Sequence, residues 1–279
     1  MNLYTIDTGL FKLDGGAMFG VVPKVIWDRI NPADENNLCS WAMRLLLVED
    51  GDRLILVDTG IGNKQDERFL SYYYLHGDAT LDSSLKKHGF HRDDITDVFL
   101  THLHFDHVGG AIAREGDKLV PAFKKATYYS NQKHWDWALN PNDREKASFL
   151  KENILPIQES GRLKFIDPVD GINFSEGFDI RFVSGHTESM MLPLVSYKGR
   201  KILYTADLVP SVGHVPLPYV MSYDMFPLTT LKEKKTILGE AAANDWVLFF
   251  EHDPGNECCT LTGTDRGIRA KDTFRLDEL

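Results

Sequence analysis

Cysteine is scarce in this chain: Cys39 and the adjacent pair Cys258 and Cys259 are the only three among 279 residues. Neighbouring cysteines bridge each other only under strain, so the count and spacing argue against a disulfide framework. No second cysteine pair stands at zinc-finger spacing, and reduced thiols are expected rather than a thiolate metal site. Long apolar runs are missing as well. No stretch reaches the ~18 uninterrupted apolar residues that suggest a membrane span. The opening "MNLYTIDTGLFKLDGG" lacks a basic region followed by an apolar run, so a cytoplasmic, untargeted protein is expected. Positive charge is also short, with 31 Lys and Arg against 41 Asp and Glu and a formal net charge of -10. That balance disfavours nucleic acid and anionic membrane as partners.

What is present suits a soluble globular protein. Hydrophobic residues at 43% and charged residues at 26% lie near globular averages and exclude a disordered or collagen-like chain. No repeat, low-complexity segment or Pro/Gly-rich boundary interrupts the sequence, so residues 1–279 read as one α/β domain. Short apolar or alternating runs predict strands at "LLLVED", "RLILVDTG", "DVFLTH", "ATYYSN", "DIRFVSG", "LPLVSYKGRKILYTAD" and "WVLFFEHD", with a hairpin turn at Lys198-Gly199. Helices are expected at "LDSSLKKHG", closed by Gly89, and at "TTLKEKKTILGEAAAND", capped by Thr229 or Thr230. Residues 132–163, with Trp135 and Trp137, read as an amphipathic helical insertion.

One stretch concentrates ligand chemistry. "THLHFDHVGG" places His102, His104, Asp106 and His107 just after an apolar strand and before Gly109-Gly110, at the kind of strand end where α/β proteins gather ligands. Two residues apart on extended backbone, His102 and His104 point to one side, while Asp106 and His107 follow as the chain turns. Two pairs of ligands can then face two metal ions. Two ions need further donors, and His186, Asp207 and His252 each follow an apolar run further along. Any one of these later residues would alone read as a surface or satisfied side chain; beside the cluster they read together. His76, His88, His91 and His134 lie in charged or helical surroundings and are expected at the surface. His214, seven residues beyond Asp207, can either line the same pocket or stand apart from it.

In this order, these seven residues resemble the metal-binding pattern of the metallo-β-lactamase superfamily. The resemblance implies an αβ/βα sandwich of two mixed β-sheets flanked by helices, with the site along one edge. It implies one ion on His102, His104 and His186, another on Asp106, His107 and His252, and Asp207 bridging them. "LVDTG" also matches a family motif in which the aspartate, here Asp58, supports the site without binding metal. Nitrogen and carboxylate donors suit Zn2+, with Mn2+, Fe2+ or Co2+ also compatible. The implied nucleophile is a hydroxide shared by two divalent ions, with Asp106 passing a proton to the leaving group.

"SLKKHGFHRDDITDVFLTHLHFDHVGG" is similar to the matching segment of the bacterial N-acyl-homoserine lactonases. "DGGAMFGVVPKVIW" and "DLVPSVGH" further resemble a quorum-quenching lactonase subgroup near the methyl parathion hydrolases. The first of these reads equally as a tight hairpin or as a loop over the pocket carrying Phe19. A small-molecule ester or lactone is the implied substrate, and lactone opening the implied reaction. One position departs from the better-known lactonases: Pro210 stands three residues after the bridging aspartate, where they carry a tyrosine. His214, Tyr219 and Tyr223 are candidates to replace it. That departure keeps an organophosphate triester or aryl-ester hydrolase as the alternative. Thioester hydrolysis and nuclease activity fit less well, and a catalytically silent metal- or signal-binding protein is the alternative from another class. Exposed aromatics in the amino-terminal loop and the Trp135 helix allow either a homodimer interface or a substrate wall.

Overall fold

A computed structural model describes residues 1–279. Fifteen strands run in chain order as β1 Asn2–Asp14, β2 Leu38–Asp50, β3 Arg53–Val57, β4 Asp97–Phe99, β5 Ile112–Glu115, β6 Lys118–Pro121, β7 Thr127–Ser130 and β8 Leu163–Phe165, then β9 Ile172–Ser175, β10 Phe178–Val183, β11 Met190–Tyr197, β12 Arg200–Tyr204, β13 Val247–Phe249, β14 Cys258–Thr264 and β15 Gly267–Phe274. The helices are α1 Gly15–Phe19, α2 Lys24–Trp27, α3 Glu67–Ser71, α4 Leu81–Lys87, α5 Phe105–Val108, α6 Gln132–Leu139, α7 Lys151–Glu159 and α8 Pro227–Ala243. Six strands form one mixed sheet in the order β1-β2-β3-β4-β7-β8, and seven form another in the order β15-β14-β13-β12-β11-β10-β9. The pair β5-β6 is a separate hairpin.

Strand β2 shows why the sheets stack. Leu46 and Val48 point into the main core with Leu192, Leu203 and Val247 of the second sheet, whereas Leu45 and Leu47 point the other way, toward Leu85 of α4 and Ile154 and Ile157 of α7. Side chains alternate faces along a strand, so a run that is apolar at every position is covered on both sides. On the far side of the second sheet, Ile237, Leu238 and Ala241 of α8 join the main core. The layers are therefore helix, sheet, sheet, helix, the αβ/βα arrangement of the metallo-β-lactamase fold. No helix is long and apolar enough to cross a membrane.

Strands β3, β4 and β7 are mutually parallel, and so are β12 and β13. Because β10 and β12 are each antiparallel to β11, they also share a direction. The carboxyl ends of β3, β4, β10, β12 and β13 lead to Asp58, His102, His186, Asp207 and His252, respectively.

Several local expectations need correction. Helix α8 begins at Pro227 after Phe226, not at a threonine cap, because proline's fixed φ suits the first helical position. Residues 14–27 form the short helices α1 and α2, neither a hairpin nor a bare loop. The insertion is two helices, with Trp135 buried in the core and Trp137 half-buried beside it. His134 is fully buried as well: its ring accepts the Leu103 N–H at 2.9 Å and contacts the Glu188 carbonyl at 2.6 Å. The hairpin turn stands as read, with positive φ at both Lys198 and Gly199.

Candidate metal centre

The loop after β4 is clamped to the loop after β3. Thr59 donates its N–H to the His107 carbonyl at 2.8 Å, and Gly110 donates to the Gly60 carbonyl at 2.8 Å. A Cβ on Gly109 would lie 2.1 Å from the Ile61 oxygen, and one on Gly110 2.1 Å from the Thr59 oxygen. Only glycine allows that approach, which explains the last two residues of "THLHFDHVGG". On the neighbouring loop, Asp58 itself adopts φ 58, and Ala206 at φ 39 turns the chain just before Asp207. Strain of this kind persists where surrounding contacts hold it.

The seven residues converge. His102, His104, His186 and Asp207 form one cluster of potential ligand atoms, and Asp106, His107 and His252 form another, all buried. His102 Nε2 lies 3.1 Å from His104 Nδ1, and His186 Nε2 lies 3.1 Å from the same atom. In the second cluster, His252 Nε2 is 3.2 Å from His107 Nε2, and Asp106 Oδ2 is 3.8 Å from both. Asp207 reaches each cluster with a different oxygen: Oδ2 is 3.1 Å from His186 Nε2, and Oδ1 is 3.1 Å from His252 Nε2. Its carboxylate spans the two.

The outer nitrogen of every histidine is already committed. His102 Nδ1 meets Thr101 Oγ1 at 3.1 Å, and that hydroxyl donates to Asp58 Oδ2 at 2.6 Å. His104 Nε2 meets Glu145 Oε1 at 2.9 Å, His186 Nδ1 meets Asp224 Oδ1 at 2.9 Å, and His252 Nδ1 meets the Ala42 carbonyl at 2.8 Å. His107 Nδ1 faces Asp58 Oδ2 at 3.2 Å and Glu251 Oε2 at 3.0 Å. With the ring protons used on these oxygens, the inner nitrogens carry lone pairs that point at one another and at Asp207.

That arrangement tests the fit to a metal. Lone pairs facing each other at 3.1–3.2 Å repel unless a cation lies between them. Zinc–nitrogen bonds in a tetrahedral site place neighbouring donors about 3.3 Å apart, close to these separations. Asp207 Oδ1 is buried without a hydrogen-bond donor, another acceptor directed inward. Without a cation, protons must substitute: burial pushes His186 and His252 down, yet the Asp207 charge holds them up at about 10 and about 9. Burial would raise Asp207, but the imidazoles beside it draw it well below the carboxylate range. Burial dominates at His102 and His104, which are held low. The residues fit a divalent ion in each cluster.

A cavity of about 420 Å³ opens above the clusters. His104, Asp106, His186, Asp207 and His252 lie at its base, and Leu13, Met18, Phe105, Met221 and Met225 make an apolar wall. Tyr73, Tyr223, Arg144, Ser148 and Ser222 supply its polar rim. Tyr223 is thus brought to the cavity, whereas Phe19, His214 and Tyr219 are not. Phe19 stacks on His214 at 4.5 Å between ring centroids, with Tyr219 edge-on at 6.4 Å, in a layer behind the wall. His214 is occupied by Ser211 Oγ at 2.7 Å and the Met18 carbonyl at 2.9 Å. Pro210 presents its carbonyl to the His252 N–H at 3.1 Å, a backbone role that its ring does not obstruct. Thr101, Glu145, Asp224 and Glu251 escaped the sequence reading. Only Glu251 left a trace, as an acid beside His252 at the end of an apolar run.

The fold and its His/Asp cluster define the class, a metallo-β-lactamase-fold, metal-dependent hydrolase. The chain belongs to the metallo-beta-lactamase superfamily, whose family model matches residues 45–252. Among solved structures it is similar to a probable metal-dependent hydrolase from Staphylococcus aureus, at 25% identity and a TM-score of 0.89, covering 100% of this chain and 98% of that one. It is also similar to AidC, a dizinc quorum-quenching lactonase, at 24% identity and a TM-score of 0.79 over 98% of this chain and 95% of that one. An N-acyl homoserine lactone hydrolase, solved with N-hexanoyl-L-homoserine at its catalytic metal centre, matches at 21% identity and a TM-score of 0.68 over 90% and 93% of the two chains.

Proposed function

We propose that this chain is a dinuclear hydrolase that opens lactone rings, with N-acyl homoserine lactones as its substrate class. The observation that carries the reading is the set of inward lone pairs, five from imidazoles whose outer nitrogens are tied to oxygen, at the base of a cavity with an apolar wall. His102, His104 and His186 would hold one ion, Asp106, His107 and His252 the other, and Asp207 both. Zinc suits this donor set. Two divalent ions supply Lewis acidity and a nucleophile at neutral pH.

The chain's own groups do the rest. Asp106 lines the cavity, so its carboxylate is placed to take a proton and return it to the alkoxide oxygen as the ring C–O bond breaks, giving a hydroxy acid. The methionine-rich wall offers an adaptable surface to an acyl chain. Tyr73 and Tyr223 bring phenols to the cavity, and burial pushes Tyr73 up to about 12, so its hydroxyl stays protonated and able to donate. Three free, buried thiols suit a reducing, cytoplasmic setting.

Pro210 in place of a tyrosine favours a second reading, hydrolysis of organophosphate triesters or aryl esters. A panel of N-acyl homoserine lactones, a paraoxon-like triester and a thioester separates the two. The lactonase reading expects the highest kcat/KM on the lactones, and a triester preference would replace it.

A further inference from the structure

Four acids stand behind the inward-facing histidines, and three are matched by donors. Asp58 receives the Thr101 N–H and hydroxyl, Glu145 receives Trp137 Nε1 at 2.7 Å and meets His104, and Asp224 meets His186. Glu251 is the exception. It is fully buried, and neither of its oxygens has a well-directed hydrogen bond. His107 Nδ1 lies 3.0 Å from its Oε2 but also faces Asp58 at 3.2 Å, one N–H between two carboxylates. Tyr204 also lies beside Glu251, but its hydroxyl donates to the Arg44 carbonyl at 3.1 Å.

A buried carboxylate that shares a single ring N–H with a second acid is poorly compensated unless positive charge lies close by. Glu251 touches only the Asp106, His107, His252 side of the centre; the other cluster has its own matched acids. We infer that Glu251 is a positioning residue for the second ion, a carboxylate held against the back of His107 that fixes the ring and tightens this cluster's grip on a cation. This rests on the dinuclear reading above. A residue retained only for structure would leave the affinity for both ions unchanged when its charge is removed, whereas Glu251 is expected to act on one of them.

Glu251→Gln keeps the shape and removes the charge. The full-length variant and wild type would be stripped with chelator, melted by calorimetry, and titrated with Zn2+ in competition with a chromophoric chelator. The variant is expected to bind one Zn2+ as wild type does and the other about 10–100-fold more weakly, whatever its melting temperature. Glu251→Asp, with the charge retained, is expected to recover part of that loss. A lower melting temperature with both affinities unchanged would overturn the inference, as would an equal loss at both ions. If Glu251→Gln does not fold, Glu251→Asp decides: a weaker second ion alone supports the role, and unchanged binding removes it. Wild type that binds fewer than two Zn2+ would overturn the dinuclear reading and this inference together; two ions bound equally well by both proteins would overturn only the role of Glu251.

Discussion

The base of the cavity and its walls are built by different rules. The base comes from five strand ends on one edge of the sandwich, where each ligand-type side chain is buried and each histidine is tied from behind. The walls come mostly from outside those strand ends: Leu13 at the end of β1, Met18 in α1, Tyr73 after α3, Arg144 between α6 and α7, and Met221 to Met225 before α8, with Phe105 of α5 the one wall residue carried among the ligand-type side chains. Rigid strands suit chemistry that tolerates little displacement, and loops suit recognition that varies between related proteins. The reaction type should therefore resist changes in the walls and fail with changes in the base.

The largest effect is expected at a ligand-type residue of the base. His104→Ala should lose bound metal and hydrolysis together, by more than the roughly 100-fold expected of a supporting contact; metal content and turnover measured on one preparation check this. Normal turnover in a metal-poor variant would break the contrast. One layer back, Asp224→Asn and Glu145→Gln should each lower metal affinity by about 10–100-fold, because they release the outer nitrogens of His186 and His104.

Beneath the base, His134 makes a prediction about pH. Burial holds it down to about 4, from the usual 6.5. Between these values the unfolded chain takes a proton that the folded chain refuses, so stability present above pH 6.5 is lost as the pH falls toward 4. The loss is roughly 3 kcal/mol, and denaturant unfolding of chelated protein should show a shallower acid limb in His134→Gln. The smallest effect belongs to the walls. Met221→Ala should change kcat/KM by about 10-fold or less, and by different factors for short and long acyl chains. A uniform, ligand-sized loss there would erase the distinction between base and walls.

This division also explains what could be read from the residues alone. Asp58 stood out only through the family resemblance and would otherwise pass for a turn residue. The seven ligand-type residues were legible because they follow apolar strands, so position along the chain and chemical type pointed the same way. The supporting acids were not: Glu145 and Asp224 sit in irregular segments with no periodicity, and only folding brings them behind His104 and His186. His134 misled because its charged neighbours in sequence, Lys133 and Asp136, face away while its own ring turns into the core. His214 and Tyr219 could be placed either way from the sequence for a related reason. They follow Asp207 closely in sequence, but the Phe19 stack draws them behind the wall rather than onto it.

The central claim is that the strand-end cluster holds two ions and that hydrolysis depends on them. Its most direct test is to titrate chelator-stripped protein with Zn2+ while following the opening of N-hexanoyl homoserine lactone. The account predicts no turnover at the start and full turnover as the bound metal reaches two ions per chain. Full activity in the stripped protein, or a plateau with no lactone opened at two bound ions, would contradict it.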